Sequence, residues 1–315
     1  MQRRIVRYDT LQSKTILNAV KSPMMPFQWS INPYRGCSMG AVFCYARSTH
    51  SFLGEEADDT FQNHIFFLKS NAAEALEAQL EKLSRTRKGL SGLGNVAIGT
   101  ATDPYQPVEA TAGLTRACLE LLARYEIPTS VTTRSPLILK DLDLLKKMNI
   151  TSVNISVSTL NRTIWKQFEP STPSPSKRLE TVKQLNSEGI PAGIFMAPIL
   201  PFITDCEDDL KQLIEGAVES KAAFVMSSFL RFSTSEVKVW FFQTLQSHYP
   251  HLVGKFADMY RGSAYVPDSY RTPVAKMIQS LLSASGLNAL EPYRDRRKDA
   301  SIAKNEEPVQ LSFSF

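Results

Sequence analysis

Short apolar runs of strand character recur six times in this chain, and stretches of helical period separate them. The runs lie at residues 29–32, 96–101, 129–133, 152–158, 191–197 and 223–230. Between them the spacing predicts helices over 72–83, 114–124, 139–148, 176–188 and 205–220. In the first of these, Leu76, Leu80 and Leu83 share one face, and Ser70 and Asn71 stand where a cap belongs. Gly189 follows the fourth as a stop signal, and Asp205 precedes the fifth as a candidate cap. Two parallel strands cannot be joined by a tight turn. Each crossover needs a helix, which then covers a face of the sheet. Six such units predict an α/β fold, a partial (β/α)6 TIM-like barrel.

Composition permits that fold and narrows the setting. A chain of 315 residues with 43% hydrophobic content can bury one large core. No apolar run is long enough to span a bilayer, so no membrane is expected as a partner. The amino end is basic but lacks the apolar centre of a secretion signal. Cys37, Cys44, Cys118 and Cys206 are too few for a disulfide framework, so a cytoplasmic location is expected. The net charge of +5 allows a polyanionic partner without requiring one. No repeat or linker divides the chain. Residues 1–293 are expected to form the barrel with a helical extension, and 294–315 a charged tail.

In barrels of this kind, sites gather at the carboxyl ends of the strands. The second strand runs into Thr102-Asp103-Pro104-Tyr105-Gln106, the third into Thr133-Arg134-Ser135. The fourth carries Asn154, Ser156 and Ser158, and the fifth ends in Ala197-Pro198. Any one of these polar residues is as readily a turn former. Four successive polar strand ends predict a pocket for a polar cofactor.

The first strand leads into Asn32-Pro33-Tyr34-Arg35-Gly36-Cys37-Ser38-Met39-Gly40-Ala41-Val42-Phe43-Cys44-Tyr45-Ala46-Arg47. Two cysteines at this spacing are, alone, equally two small loop residues. With their flanks they resemble the cluster loop of the radical S-adenosylmethionine enzymes, C-x3-C-x2-C, in the spore photoproduct lyase and DNA repair photolyase-like branch. Phe168-Glu169-Pro170, Arg178-Leu179 and the run from Gly193 to Ile199 are similar to later segments of that family. The likeness covers roughly residues 26–232. Two positions depart from the pattern. Ala41 stands where the middle cysteine belongs, and Met39 where relatives often carry His.

The resemblance implies a radical SAM-type barrel with a 4Fe-4S cluster and S-adenosyl-L-methionine as cofactors. Cys37 and Cys44 would be metal ligands and Phe43 the aromatic beside the last one. Thr102 and Asp103 would face the cofactor's ammonium, Arg134 its carboxylate, Ser156 the ribose, and Ala197 the adenine. A rigid guanidinium fork suits a carboxylate better than a point charge does. An intact member would cleave S-adenosylmethionine reductively to a 5′-deoxyadenosyl radical, acting on a nucleic-acid base or related substrate. DNA or a nucleotide would be the partner, with flavodoxin or ferredoxin as electron donor. An alanine methyl cannot ligate iron, so the chain as written is expected to hold no normal cluster. Ala41 reads as an engineered replacement, a natural loss, or one part of a site with a substitute ligand. Thr100 occupies the place of the lyases' hydrogen-donor cysteine, and a hydroxyl donates hydrogen atoms far less readily than a thiol.

The remaining cysteines are expected elsewhere. Cys118 falls on an apolar helical face. Cys206 sits at a helix start, which would lower its pKa. His50 and His64 read as loop residues. The tail from Gln310 to Phe315 resembles the peptides with which bacterial proteins dock on the DNA sliding clamp, with Ser314 as an insertion. It reads equally as a segment folded back on its own apolar surface, and Arg294, Arg296, Arg297 and Lys298 as a solvated face. The alternative function is a non-catalytic nucleic-acid or clamp-binding protein on a degenerate scaffold.

Overall fold

The structure is a computed structural model describing residues 7–22, 25–44, 65–232 and 234–287. Tyr45, Ala46, Arg47, His50, His64 and the whole tail, including the clamp-like peptide and its basic cluster, lie outside the described residues.

The chain opens with β1 (Arg7–Leu11), β2 (Leu17–Ala19), β3 (Trp29–Ile31), β4 (Tyr34–Arg35) and β5 (Ile65–Lys69). There follow α1 (Ala72–Ser84), β6 (Val96–Ile98), α2 (Glu109–Ala112), α3 (Leu114–Arg124) and β7 (Thr129–Thr133). Next come α4 (Leu142–Leu145), β8 (Ile150–Ser156), α5 (Arg162–Phe168), α6 (Pro175–Ser187) and β9 (Ala192–Ile199). The described chain ends with α7 (Glu207–Glu219), β10 (Val225–Phe229), α8 (Ser235–His248), α9 (Val253–Met259) and α10 (Asp268–Ala284).

The main sheet runs β10-β9-β8-β7-β6-β3-β2. The six strands from β3 to β10 are parallel and lie in chain order, as in a partial barrel. The short β2 pairs antiparallel at one edge. Register explains the two faces. Ile31 pairs with Ile98, Ile98 with Val131, Val131 with Val153. This row is buried with Leu76, Leu119, Leu122, Val182 and Leu213 of the helices. Strand side chains alternate, so the neighbouring row of Ser30, Ala97, Ser130 and Ser152 faces the other way, into the trough.

Two elements at the amino end, β1 and β5, form a small separate sheet with β4. A second apolar cluster joins the cysteine loop to the last helices. In it Ala41 and Phe43 pack with Phe168, Leu200, Leu230, Phe232, Phe241 and Phe256. Among the described residues no helix is long and apolar enough to cross a membrane.

Three local expectations are corrected. The helix over 139–148 is a 3-10 stretch (Pro136–Asp141) and the single turn α4. At the junction of the two, the buried Asp141 carboxylate accepts from Tyr105 Oη at 2.9 Å and Arg116 Nη1 at 2.8 Å, so this residue is held inward by distant partners. Asn71 occupies the cap position of α1, but its side chain bonds both backbone groups of Ser13 instead. Asp205 does not cap α7, because Tyr270 Oη donates to its carboxylate at 2.5 Å and the cap falls on Cys206.

Candidate functional site

The cysteine loop is held from beneath by the end of β6. Gly36 turns the chain at φ 79°, a region L side chains rarely adopt. Its carbonyl accepts from Thr102 Oγ1 at 2.7 Å. The Ser38 N–H donates to Gln106 Oε1 at 3.2 Å. Asn32 accepts from the Ala101 N–H at 2.8 Å and donates to Thr100 Oγ1 at 3.0 Å. Tyr34 Oη bonds the buried Glu109 carboxylate, which also accepts from the amides of Thr115 and Arg116. Thr102, expected to face the cofactor's ammonium, bonds the loop at Gly36, and Thr100 bonds Asn32 at its start.

Above this brace lies a charged cluster. Asp103 accepts from Thr133 Oγ1 at 2.6 Å, the Arg134 N–H at 2.8 Å and the Tyr105 N–H at 2.9 Å. Three donors fix the carboxylate and with it the end of β7. Arg134 donates through Nε to Glu169 at 2.8 Å. Its two terminal nitrogens have no partner among the described residues. Glu169 also accepts from Arg178 Nη1 at 3.1 Å and Ser158 Oγ at 2.9 Å. Burial works against its charge, but Arg178 and Arg134 outweigh it and hold the carboxyl below its usual range. Arg178 is wholly enclosed and is spread over Glu169, Thr172 and the carbonyls of Ser156 and Pro173. Burial and the Arg134 charge lower its pKa. For Arg134 burial again opposes the charge, while Glu169, Cys44 and Asp103 raise the pKa.

The cysteines sit against this cluster. Burial, then the charges of Asp103 and Cys44, push the Cys37 thiol up to about 12. Cys44 in turn acts on Arg134. The structure therefore gathers Cys37, Cys44, Thr102, Asp103 and Arg134 in one place. Ser156 lies on the same side through its carbonyl bond to Arg178. Ala197 is at the partly exposed end of β9, and Phe43 is buried in the second apolar cluster.

The donor set does not fit a normal 4Fe-4S cluster. Such a cluster takes three thiolates from this kind of loop, and here two are present. The Ala41 methyl is 3% exposed and belongs to the apolar cluster. Among the described residues no three His, Cys, Asp or Glu side chains are placed to hold a metal ion. Neither remaining cysteine fills the gap. Cys118 is buried in the helix-side core, as expected. Cys206 is exposed and its pKa is raised, not lowered. Partial burial contributes, and the thiol donates to Asp209 beside a first turn that also holds Glu207 and Asp208.

Sequence reasoning gave no role to Glu169, Arg178, Gln106 or Asn32. A signal existed for the first two. Glu169 and Arg178 lie nine residues apart in the run between the fourth and fifth strands, and once both are buried each is a ready partner for the other.

The family model of the radical SAM superfamily matches residues 31–214, more than half of the chain. An uncharacterized protein of Mycobacterium tuberculosis is 29% identical over 282 residues, covering 88% of this chain and 81% of its own. A phage protein, the radical SAM Nalpha-GlyT isomerase of Pseudomonas phage M6, is 22% identical over 89% of this chain and 56% of its own. Among solved structures, spore photoproduct lyase complexed with dinucleoside spore photoproduct superposes with a TM-score of 0.65. That match covers 91% of this chain and 82% of the lyase at 14% identity, a likeness of fold.

Proposed function

This chain belongs to the radical SAM superfamily, and from that premise we propose an enzyme scaffold of the photoproduct lyase type with a retained S-adenosylmethionine pocket and impaired cluster loading. The observation that carries the reading is Arg134. Its Nε is fixed on Glu169 and its terminal nitrogens are left over. A half-used guanidinium in a partly buried site is a ready fork for a carboxylate. Asp103, locked by three donors, keeps lone pairs for an ammonium beside it. Together they suit the amino acid end of S-adenosylmethionine, with Ser156 and Ala197 toward ribose and adenine. When bound to an intact loop, the cluster and S-adenosylmethionine supply radical chemistry, and the protein supplies position and dryness.

The substrate class we propose is a nucleic-acid base or a related molecule. The likeness of fold to a lyase solved with a dinucleoside photoproduct supports it. Thr100 argues against repair by a thiol hydrogen donor, since a hydroxyl gives up a hydrogen atom far less readily than a thiol. A second reading is a binding protein on the same scaffold. The burial of the Ala41 methyl in an apolar cluster, where a ligand thiol would stand, favours that reading.

The test is anaerobic reconstitution with iron and sulfide. The protein as written is expected to hold far less than four irons per chain, while Ala41→Cys approaches four and turns brown. Cysteine is a small hydrophobe, so it fits the Ala41 site. A full complement of iron and sulfide in the unaltered chain overturns the impairment. Failure of Ala41→Cys to load iron favours the binding-protein reading.

A further inference from the structure

Two aromatic rings among the described residues are exposed out of proportion to their size. Phe202 is 37% exposed and Tyr265 is 48% exposed. Both stand at the mouth of the trough. Phe202 follows the end of β9. Tyr265 is bridged to Arg231, which follows the end of β10. Each ring has a cation over it, Lys255 Nζ at 5.4 Å from the Phe202 centroid and the Arg231 guanidinium at 5.1 Å from that of Tyr265.

The Phe202 ring is held outward at a cost. Its φ is 63°, unusual for a bulky residue. The strained backbone is fixed by Tyr270, whose hydroxyl accepts the Phe202 N–H at 3.1 Å and donates to Asp205. The ring meets Tyr270 and Phe256 edge-on, at 5.0 and 5.9 Å between centroids. Phe256 and Tyr260 stack at 6.1 Å, and Tyr260 Oη donates to the Leu230 carbonyl beside Arg231. Phe256 of α9 and Tyr260 at its carboxyl cap thus link the two stations. The same apolar cluster contains Ala41 and Phe43, so the rim is continuous with the cysteine loop.

We propose that this rim is a landing surface for single-stranded nucleic acid, leading a strand to the mouth of the trough. It deepens the substrate class proposed above and rests on it. A purely apolar partner would bury Arg231 and Lys255 without compensation. A purely acidic partner would have no use for two exposed rings. A strand of nucleic acid offers a stacking face and a negative charge at every residue, which is what alternating rings and cations receive. Cations outnumber carboxylates two to one from Phe229 to Gly286.

The experiment needs no cluster. A fluorescein-labelled twelve-residue oligothymidylate is titrated with the metal-free full chain at low salt, and anisotropy is followed. Phe202→Leu keeps apolar volume but removes the stacking face, and Tyr265→Leu does the same at the second station. Each is expected to weaken binding about fivefold or more. Arg231→Ala is expected to weaken binding and to lower the salt slope by about one. Val218→Ala, at an exposed residue on α7, is expected to bind like the unaltered chain. Thermal unfolding confirms that each variant is folded. No binding at tens of micromolar protein overturns the proposal, as do leucine variants that bind normally. Tighter binding of a labelled acidic peptide or of the matching duplex overturns it as well. Iron loading by Ala41→Cys alongside absent oligonucleotide binding sinks this surface alone and leaves the family reading in place.

Discussion

Glu169 lies between two arginines with almost no access to water. Asp103 and Glu169 together face the two guanidinium groups, so the cluster is close to charge balance. Arg134 is available to an anionic ligand because its terminal nitrogens are unused among the described residues. Glu169 is also a stability element with a defined pH signature. The folded carboxyl is held below its usual range, so its stabilisation is fully present above the unfolded value of about 4.3. It is lost as pH falls through the folded value. Glu169→Gln leaves Arg178 charged, buried and unpaired, and is expected to cost about 3–5 kcal/mol at pH 7. In urea unfolding the gap between the two proteins is expected to shrink from pH 5 to pH 3. A constant gap across that range would show that the ion pairs contribute nothing.

The segment after β6 shows how one element serves two purposes. Residues 102–109 were legible as a polar strand end, and the structure brings Asp103 to the site. Most of the segment nonetheless works as scaffolding, with Thr102, Gln106 and Glu109 bonded to the cysteine loop or to β4. Sequence pattern cannot separate the two roles, since a brace and a ligand ask for the same side chains. The misplaced cap at Asp205 has a related cause. A distant tyrosine hydroxyl claims the carboxylate that local reasoning assigned to its own backbone. Gly99 tests the brace. Its φ is 90°, and an added Cβ would lie 2.2 Å from the Thr132 carbonyl and 2.8 Å from Pro104. Gly113 shares the positive φ, at 63°, with open space around it. Gly113→Ala is expected to cost about 1–2 kcal/mol for the left-handed backbone alone. Gly99→Ala must also push β6 from β7, and is expected to lower thermal stability distinctly more. Equal melting temperatures for the two variants would mean that the strand pair yields freely.

At the scale of the molecule, the strand order was legible because crossovers leave few choices. The closing helices were anticipated as an extension without internal detail. Their packing rests on aromatic contacts between segments far apart in sequence, which periodicity does not reveal. Phe168 stacks on Phe241 at 5.5 Å, and Phe232 meets Tyr260 edge-on at 4.6 Å. Phe43 and Ala41 of the cysteine loop belong to the same cluster, so the loop is shaped partly by helices two hundred residues away. The matched family region ends at residue 214, before any of these helices begins. It follows that residues 31–214 alone do not make a complete fold. A chain ended after Phe232 would uncover Phe43, Phe168, Leu200 and Leu230, each of them largely or wholly buried in the full protein. Burial of such side chains contributes about 1.5–3 kcal/mol apiece, so their loss together is comparable to the whole stability of an ordinary domain. The shortened chain is expected to bind a hydrophobic dye, to associate, and to be cut in the cysteine loop at protease levels that spare the full chain. A monomeric fragment with cooperative unfolding and a protected loop would show that the barrel stands without its cap.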